Sequence, residues 1–278
     1  MNEPIDVAKW LERVRENRPL VHNITNLVVT NIAANALLAI GASPVMAYAK
    51  QEVGDMAKMA SGLSLNMGTL DDAVVESMLI AGRAANSVGV PVIFDPVGVG
   101  ATRYRNEVAE DVVAQLKLSI LRGNAGEIGI LLGAGGWVKG VDSSGVADNL
   151  GATMVEFAHN HGCVVIATGE TDYVTDGDTL WALRNGHPLL AAITGSGCMI
   201  TAVLGAFAGV AGRHAVPRDY AHAAIAALTC YNVAGELAGG RAQGPGTFQA
   251  DLFDALYHLD GAYVNECAQI EVIAGGGD

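Results

Sequence analysis

Short apolar runs alternate with longer stretches of helical periodicity through the first half of the chain. This rhythm restricts the fold to α/β layering, with helices on a largely parallel sheet. Runs at residues 20–24, 44–48, 63–66, 90–94, 120–122 and 164–167 predict strands. Residues 28–40, 71–87 and 105–118 predict helices between them, and Gly41 and Gly89 stand where helix stops are expected. Right-handed crossovers follow from such a pattern. After Thr168 the rhythm changes, because residues 172–175 and 179–183 flank Asp176-Gly177-Asp178, a hairpin-type turn signal that predicts antiparallel strands at the sheet edge. From Gly197 onward the chain reads as helix after helix until residues 269–273. No Pro- or Ser-rich linker and no internal repeat interrupts it, so one domain over residues 1–278 is expected.

Composition narrows the function classes. Hydrophobic residues make up 51% of the chain, far too many for disorder and enough for one large core. The net charge of −13 repels a nucleic-acid backbone, and an anionic substrate would need a metal ion or a helix N-terminus to offset that field. Four scattered cysteines lack Cys-x-x-Cys spacing and seven histidines form no metal-binding pair, which argues against zinc. The charged N-terminal stretch lacks an apolar run of signal-peptide type, so a cytoplasmic protein with reduced thiols is expected. Residues 189–212 carry no charge and include Gly205-x-x-x-Gly209, a membrane helix-pairing pattern. Thr194-Gly195-Ser196-Gly197 would break such a span near its start, leaving a buried helix of a water-soluble core.

Neither a P-loop nor a dinucleotide-binding glycine turn occurs in a strand-to-helix setting. Gly98-Val99-Gly100 and the glycines of residues 133–136 read as plain turns. Thr194-Gly195-Ser196-Gly197-Cys198 is the stronger signal, because two glycines ahead of an apolar helix leave several backbone N–H groups aimed at one spot, an anion hole. Spacing leaves two readings for Cys198: a reactive thiol favoured by the helix dipole, or a small apolar residue at a helix start. A free thiol has a pKa near 8.5, so about 3% is thiolate at pH 7, and the helix N-terminus is expected to raise that fraction. Asp95 and Glu127 each follow an apolar strand, at the sheet edge where α/β proteins bind ligands. Together they suit Mg²⁺; singly, each is equally suited to capping a helix.

Several segments carry a resemblance. Asn124-x-x-Glu127 and Gly195-Ser196-Gly197 are similar to the motifs of the ribokinase-like superfamily. Residues 19–26, 41–47, Asp95-Pro96-Val97-Gly98 and Gly244-Pro245-Gly246-Thr247-Phe248 resemble, within it, the hydroxyethylthiazole kinase family, over nearly the whole chain. The resemblance implies a ribokinase-like fold, with a mostly parallel central sheet flanked by helices on both faces. The activity it implies is ATP-dependent phosphorylation of 4-methyl-5-(2-hydroxyethyl)thiazole in thiamine biosynthesis and salvage.

The same resemblance assigns roles to residues. Cys198, at a position where the superfamily usually carries the Asp taken as the base for the substrate hydroxyl, would be the catalytic residue that accepts that hydroxyl's proton. Met46 and Gly195, with Asn26 nearby, would contact the thiazole. Arg122, Thr168 and Asn124 would contact ATP, and Asp95 and Glu127 would organise Mg²⁺. It also implies a homotrimer with sites at subunit interfaces. The alternatives are a ribokinase-like kinase of a hydroxymethylpyrimidine or a sugar, which the cysteine argues against, and a non-catalytic ligand-binding relative. The retained Asp95, Glu127, Gly195 and Gly197 argue against the second.

Overall fold

The computed structural model describes residues 4–134 and 144–275. Gly135 and Gly136 of the second glycine cluster lie outside the described residues. In chain order the elements are α1 (Val7–Asn17), β1 (Leu20–Ile24), α2 (Thr30–Ile40), β2 (Ser43–Val45), α3 (Val53–Met59), β3 (Gly62–Asn66), α4 (Asp72–Ser87), β4 (Val92–Asp95), α5 (Arg103–Gln115), β5 (Ile120–Asn124) and α6 (Ala125–Leu131). They continue with α7 (Ser144–His161), β6 (Val164–Thr168), β7 (Asp172–Thr175), β8 (Thr179–Leu183), a 3-10 turn at Pro188–Ala192, α8 (Ser196–Ala211), α9 (Pro217–Gly239), α10 (Pro245–His258), α11 (Gly261–Cys267) and β9 (Ile270–Gly275).

One nine-stranded sheet runs in the order β2-β1-β3-β4-β5-β6-β7-β8-β9. Its first six strands are parallel and the last three antiparallel, as the change of rhythm after Thr168 predicts. The sheet is covered on both faces. One apolar core joins it to α1, α2 and α8 to α11, and the other joins it to α3 to α7. The continuous apolar strands are the consequence, since a parallel sheet covered twice has no wet face.

Local chemistry sets the element ends. Gly41 closes α2 with φ of 104°, a left-handed conformation open to glycine. The Thr102 and Asp71 side chains cap α5 and α4 by accepting from Arg105 N–H and Val74 N–H. Several expected boundaries move. The strand expected at 44–48 ends at Val45, because the following segment is held by side chains instead: His22 Nε2 bonds Ala47 O at 2.9 Å and Tyr48 Oη donates to Thr25 O at 2.9 Å. α2 begins at Thr30, leaving Leu27 and Val28 in an exposed turn.

α8 is the charge-free helix of the sequence, and among the described residues no helix is long and apolar enough to cross a membrane. Its Gly205 and Gly209 press against the sheet, where a side chain on Gly205 would strike Val21 and one on Gly209 would strike Ser61. The small-residue spacing therefore serves helix-on-sheet contact. It brings the N-terminus of α8 to the C-terminal ends of β4 and β5.

Candidate active site

An open cleft of about 220 Å³ lies where those strand ends meet α8. Asp95, Val97, Arg122, Asn124, Glu127, Gly195, Ser196, Gly197 and Cys198 line it. Seven of the expected site residues beyond the glycine of the helix cap thus share one cavity with it. Thr168 and Asn26 adjoin the cleft through hydrogen bonds, whereas Met46 does not line it and packs half-buried against the core beside β2.

Gly195 is the N-cap of α8, with φ of 81° and no side-chain cap, so the first N–H groups of the helix face the cleft without an internal partner. A side chain at Gly195 would run into Val29 and Ile32 at the start of α2. Gly197 is as closely confined, since a Cβ there would lie 2.9 Å from Arg122 Nη1. Its carbonyl accepts from Arg122 Nη1 at 3.1 Å and from Thr201 Oγ1 at 2.9 Å.

Arg122, pointing from β5, ties three elements together. Nη1 donates to Asp95 Oδ2 at 3.2 Å and Nη2 donates to Thr168 Oγ1 at 2.6 Å. Asp95 is fully buried, and Oδ2 also accepts from Thr201 Oγ1 at 2.7 Å and Asn66 Nδ2 at 3.0 Å. Burial, with the nearby Glu127 charge, pushes the Asp95 carboxyl up to about 6 against the opposing pull of Arg122 and Thr201. Two buried polar atoms here have no partner in the chain: Asp95 Oδ1 and Arg122 Nε. Most buried polar groups in proteins are paired, so two orphaned atoms on one ion pair lining the cleft are candidate contacts for a ligand.

Glu127 shows the helix-capping use that its sequence position allowed. It forms a capping box with Asn124, Oε2 accepting from Asn124 N–H at 2.9 Å while the Asn124 side chain accepts from Glu127 N–H at 2.9 Å. Oε1 accepts from Gly98 N–H at 2.8 Å, which fixes the loop after Asp95. The carboxylate still lines the cleft.

Cys198 departs from expectation in its ionisation. Burial and the Asp95 charge push its thiol up to about 11, although the Asn26 and Asn66 amides, 3.2 and 3.3 Å from Sγ, and Arg122 act in the opposite sense. The expected enrichment of thiolate by the helix N-terminus is reversed, because the sulfur sits in a desolvated pocket beside a carboxylate. At neutral pH it is a thiol.

Three neighbours escaped the sequence reading. Asn66 bridges Cys198 and Asp95. Thr201 links Asp95 to the Gly197 carbonyl from the second turn of α8. Arg105 donates to Met67 O and Val97 O at 2.7 Å and to Gly68 O at 3.0 Å, stapling the loops that leave β3 and β4. A polar residue ending a strand next to the one that ends in Asp95 was the available signal for Asn66.

Comparison with known proteins gives one consistent result. The profile of the Hydroxyethylthiazole kinase family matches residues 11–262. A hydroxyethylthiazole kinase of Moorella thermoacetica is 49% identical over 273 residues, covering 98% of this chain and 100% of the relative. The solved structure of a hydroxyethylthiazole kinase protein from Pyrococcus horikoshii superposes with a TM-score of 0.86 at 39% identity, covering 96% of this chain and 99% of that one. A pyridoxal kinase from Staphylococcus aureus, solved with AMP-PCP and pyridoxal, shares the fold at 14% identity and a TM-score of 0.53, over 78% and 87% of the two chains.

Proposed function

Because the chain belongs to the hydroxyethylthiazole kinase family, we infer that it transfers the γ-phosphate of ATP to the hydroxyl of 4-methyl-5-(2-hydroxyethyl)thiazole, yielding the phosphate used in thiamine metabolism. The observation that carries this reading to the site is the convergence, in one cleft, of an uncapped helix start, two carboxylates, an arginine and Cys198. Such an arrangement suits phosphoryl transfer, which depends on placement and charge stabilisation more than on covalent help from the protein.

In this reading the N–H groups at Gly195, Ser196 and Gly197 receive the transferring phosphoryl group as an anion hole. Arg122, held by Asp95 and Thr168, and Asn124 face the nucleotide phosphates. Gly195 and Asn26 border the thiazole. Cys198 faces the substrate hydroxyl; being protonated at rest, it acts as a hydrogen-bond acceptor that aims the oxygen, and the loose transition state asks for little more.

Asp95 and Glu127 are the residues that would hold a Mg²⁺ ion. The orphaned Oδ1 of Asp95 supports the fit. Two carboxylates suit an ion drawing most of its oxygens from phosphate and water. Such an ion neutralises phosphate charge when bound.

A homotrimer completes the reading. Leu27 and Val28 are each 72% exposed in the turn before α2, beside the Gly195 cap, and Met46 stands off the cleft of its own chain. An exposed apolar patch bordering a site supports coverage by a second copy, which would bring the thiazole-contacting residues of two chains together. The free cysteines fit a reducing cytoplasm. The direct test is an ATP-dependent phosphorylation assay over a panel of small alcohols. Product from hydroxyethylthiazole in preference to hydroxymethylpyrimidine, pyridoxal and sugars is expected, and preference for any of those alcohols, or no turnover at all, would refute it.

A further inference from the structure

Asn66 ends β3 as Asp95 ends β4, and the two are register partners in the sheet. Its side chain is buried and makes four hydrogen bonds. Oδ1 accepts from Gly68 N–H and from Asn26 Nδ2, both at 3.0 Å, while Nδ2 donates to Asp95 Oδ2 at 3.0 Å and to Cys198 Sγ at 3.3 Å. The backbone decides which way the amide points. A peptide N–H can only donate, so the oxygen of Asn66 must face Gly68 and its NH₂ must face the carboxylate and the sulfur. The Asn26 amide is oriented in turn, its NH₂ directed at Asn66 Oδ1 and Cys198 Sγ. Gly68 makes room for this, since a Cβ there would lie 2.7 Å from Asn26 Nδ2.

Sulfur is a weak acceptor, so one such contact would leave the Cys198 side chain free to turn. Two amide donors converging from the ends of β1 and β3 restrict it to one place. We propose that Asn66 is a positioning residue of the phosphoryl transfer, acting through Cys198 by holding its sulfur where the substrate hydroxyl arrives. This inference rests on the reading of Cys198 given above. Nothing in it requires Asn66 to touch either substrate.

A double-mutant cycle separates positioning from mere support of the fold. Asn66→Ala and Asn66→Leu are made in the wild-type chain and in Cys198→Ala, with thermal unfolding to establish that each folds. kcat and KM are then measured with hydroxyethylthiazole at saturating ATP. In the wild-type background Asn66→Ala should lower kcat by about tenfold to 10²-fold while KM changes by less than about threefold, as expected of misplacement without lost binding. In Cys198→Ala the same change should cost at least about threefold less than in the wild-type background, because the sulfur is already absent and only the bonds of Asn66 to Asp95, Asn26 and Gly68 are lost. Asn66→Leu keeps the branched shape of the side chain and removes the donors without adding a charge beside Asp95, so it should show the same coupling if the alanine variant fails to fold. Equal losses in both backgrounds, or an effect confined to KM, would overturn the proposal. A Cys198→Ala enzyme as fast as wild type would instead overturn the reading of Cys198 itself.

Discussion

Arg122 Nη1 stands 3.2 Å from Asp95 Oδ2 with both side chains at least nine-tenths buried, the one such ion pair among the described residues. Removing one member of a buried pair strands the other, at a cost of about 3–5 kcal/mol. The Asp95 carboxyl, already pushed up to about 6, can escape by taking a proton, so Arg122→Ala should cost nearer the lower figure. Urea unfolding at pH 7.5 measures it; unchanged stability would mean that the pair contributes nothing to the fold.

Turnover should rank the residues at the start of α8. Cys198→Ala is expected to be slow but not dead, losing toward about 10²-fold, the scale of a misplaced reacting group. Cys198→Asp should retain substantial activity, its carboxylate occupying the place of the sulfur. Gly197→Val should be worst, because a side chain there meets Arg122 and obstructs approach to the helix N–H groups. A Cys198→Ala enzyme matching wild type across the pH range would reduce the cysteine to a packing residue.

Activity should require a divalent cation. Asp95→Asn and Glu127→Gln are each expected to weaken turnover while leaving thiazole binding nearly intact by calorimetry. Glu127→Gln should in addition lower stability by about 1 kcal/mol, since an amide cannot accept from both Asn124 N–H and Gly98 N–H as the carboxylate does. Loss of thiazole binding with retained metal-nucleotide binding would reverse the assignment.

His22 gives a pH dependence of stability. Burial lowers its pKa, and Nδ1 has no acceptor to receive a proton. The unfolded chain therefore binds that proton first, so the stability His22 preserves is present above about 6.5 and lost as pH falls below it. Asp95 has the opposite sign, because its raised carboxyl favours the folded state as pH drops from about 6 toward 4. Comparing wild type with His22→Gln, which keeps a donor for Ala47 O, isolates the first effect: the variant should lose less Tm between pH 7.5 and 6. Parallel losses would refute it.

The apolar turn at Leu27 and Val28 should be covered in solution. Light scattering is expected to give three times the chain mass, and Leu27→Asp should give smaller particles with impaired turnover. A fully active monomer of 28.6 kDa would rule out a shared site.

Most of the sheet was legible because its strands are either continuously apolar, as in β4 and β6, or bounded by a turn as clear as Asp176-Gly177-Asp178. The glycines at 195 and 197 were legible because nothing else explains their spacing. α7 was not, being rich in Gly, Asn and His and weak in helical pattern. Asn66 was invisible for another reason: a lone asparagine acquires meaning when the sheet register sets it beside Asp95. The ionisation of Cys198 was misjudged because sequence displays the helix start and conceals the desolvation around it. Met46 was named by resemblance, and nothing in its own chain brings it to the cleft.

α8 leaves the cleft as an uncharged rod buried in apolar side chains. Salt weakens forces between exposed charges over about a Debye length, while a dipole enclosed by protein is screened far less. The long-range repulsion of an anionic nucleotide by this acidic surface is therefore the part that electrolyte removes, and the local attraction at the helix start is the part that endures. Electrolyte therefore acts on the approach of the nucleotide to this chain more than on its seating at the helix start.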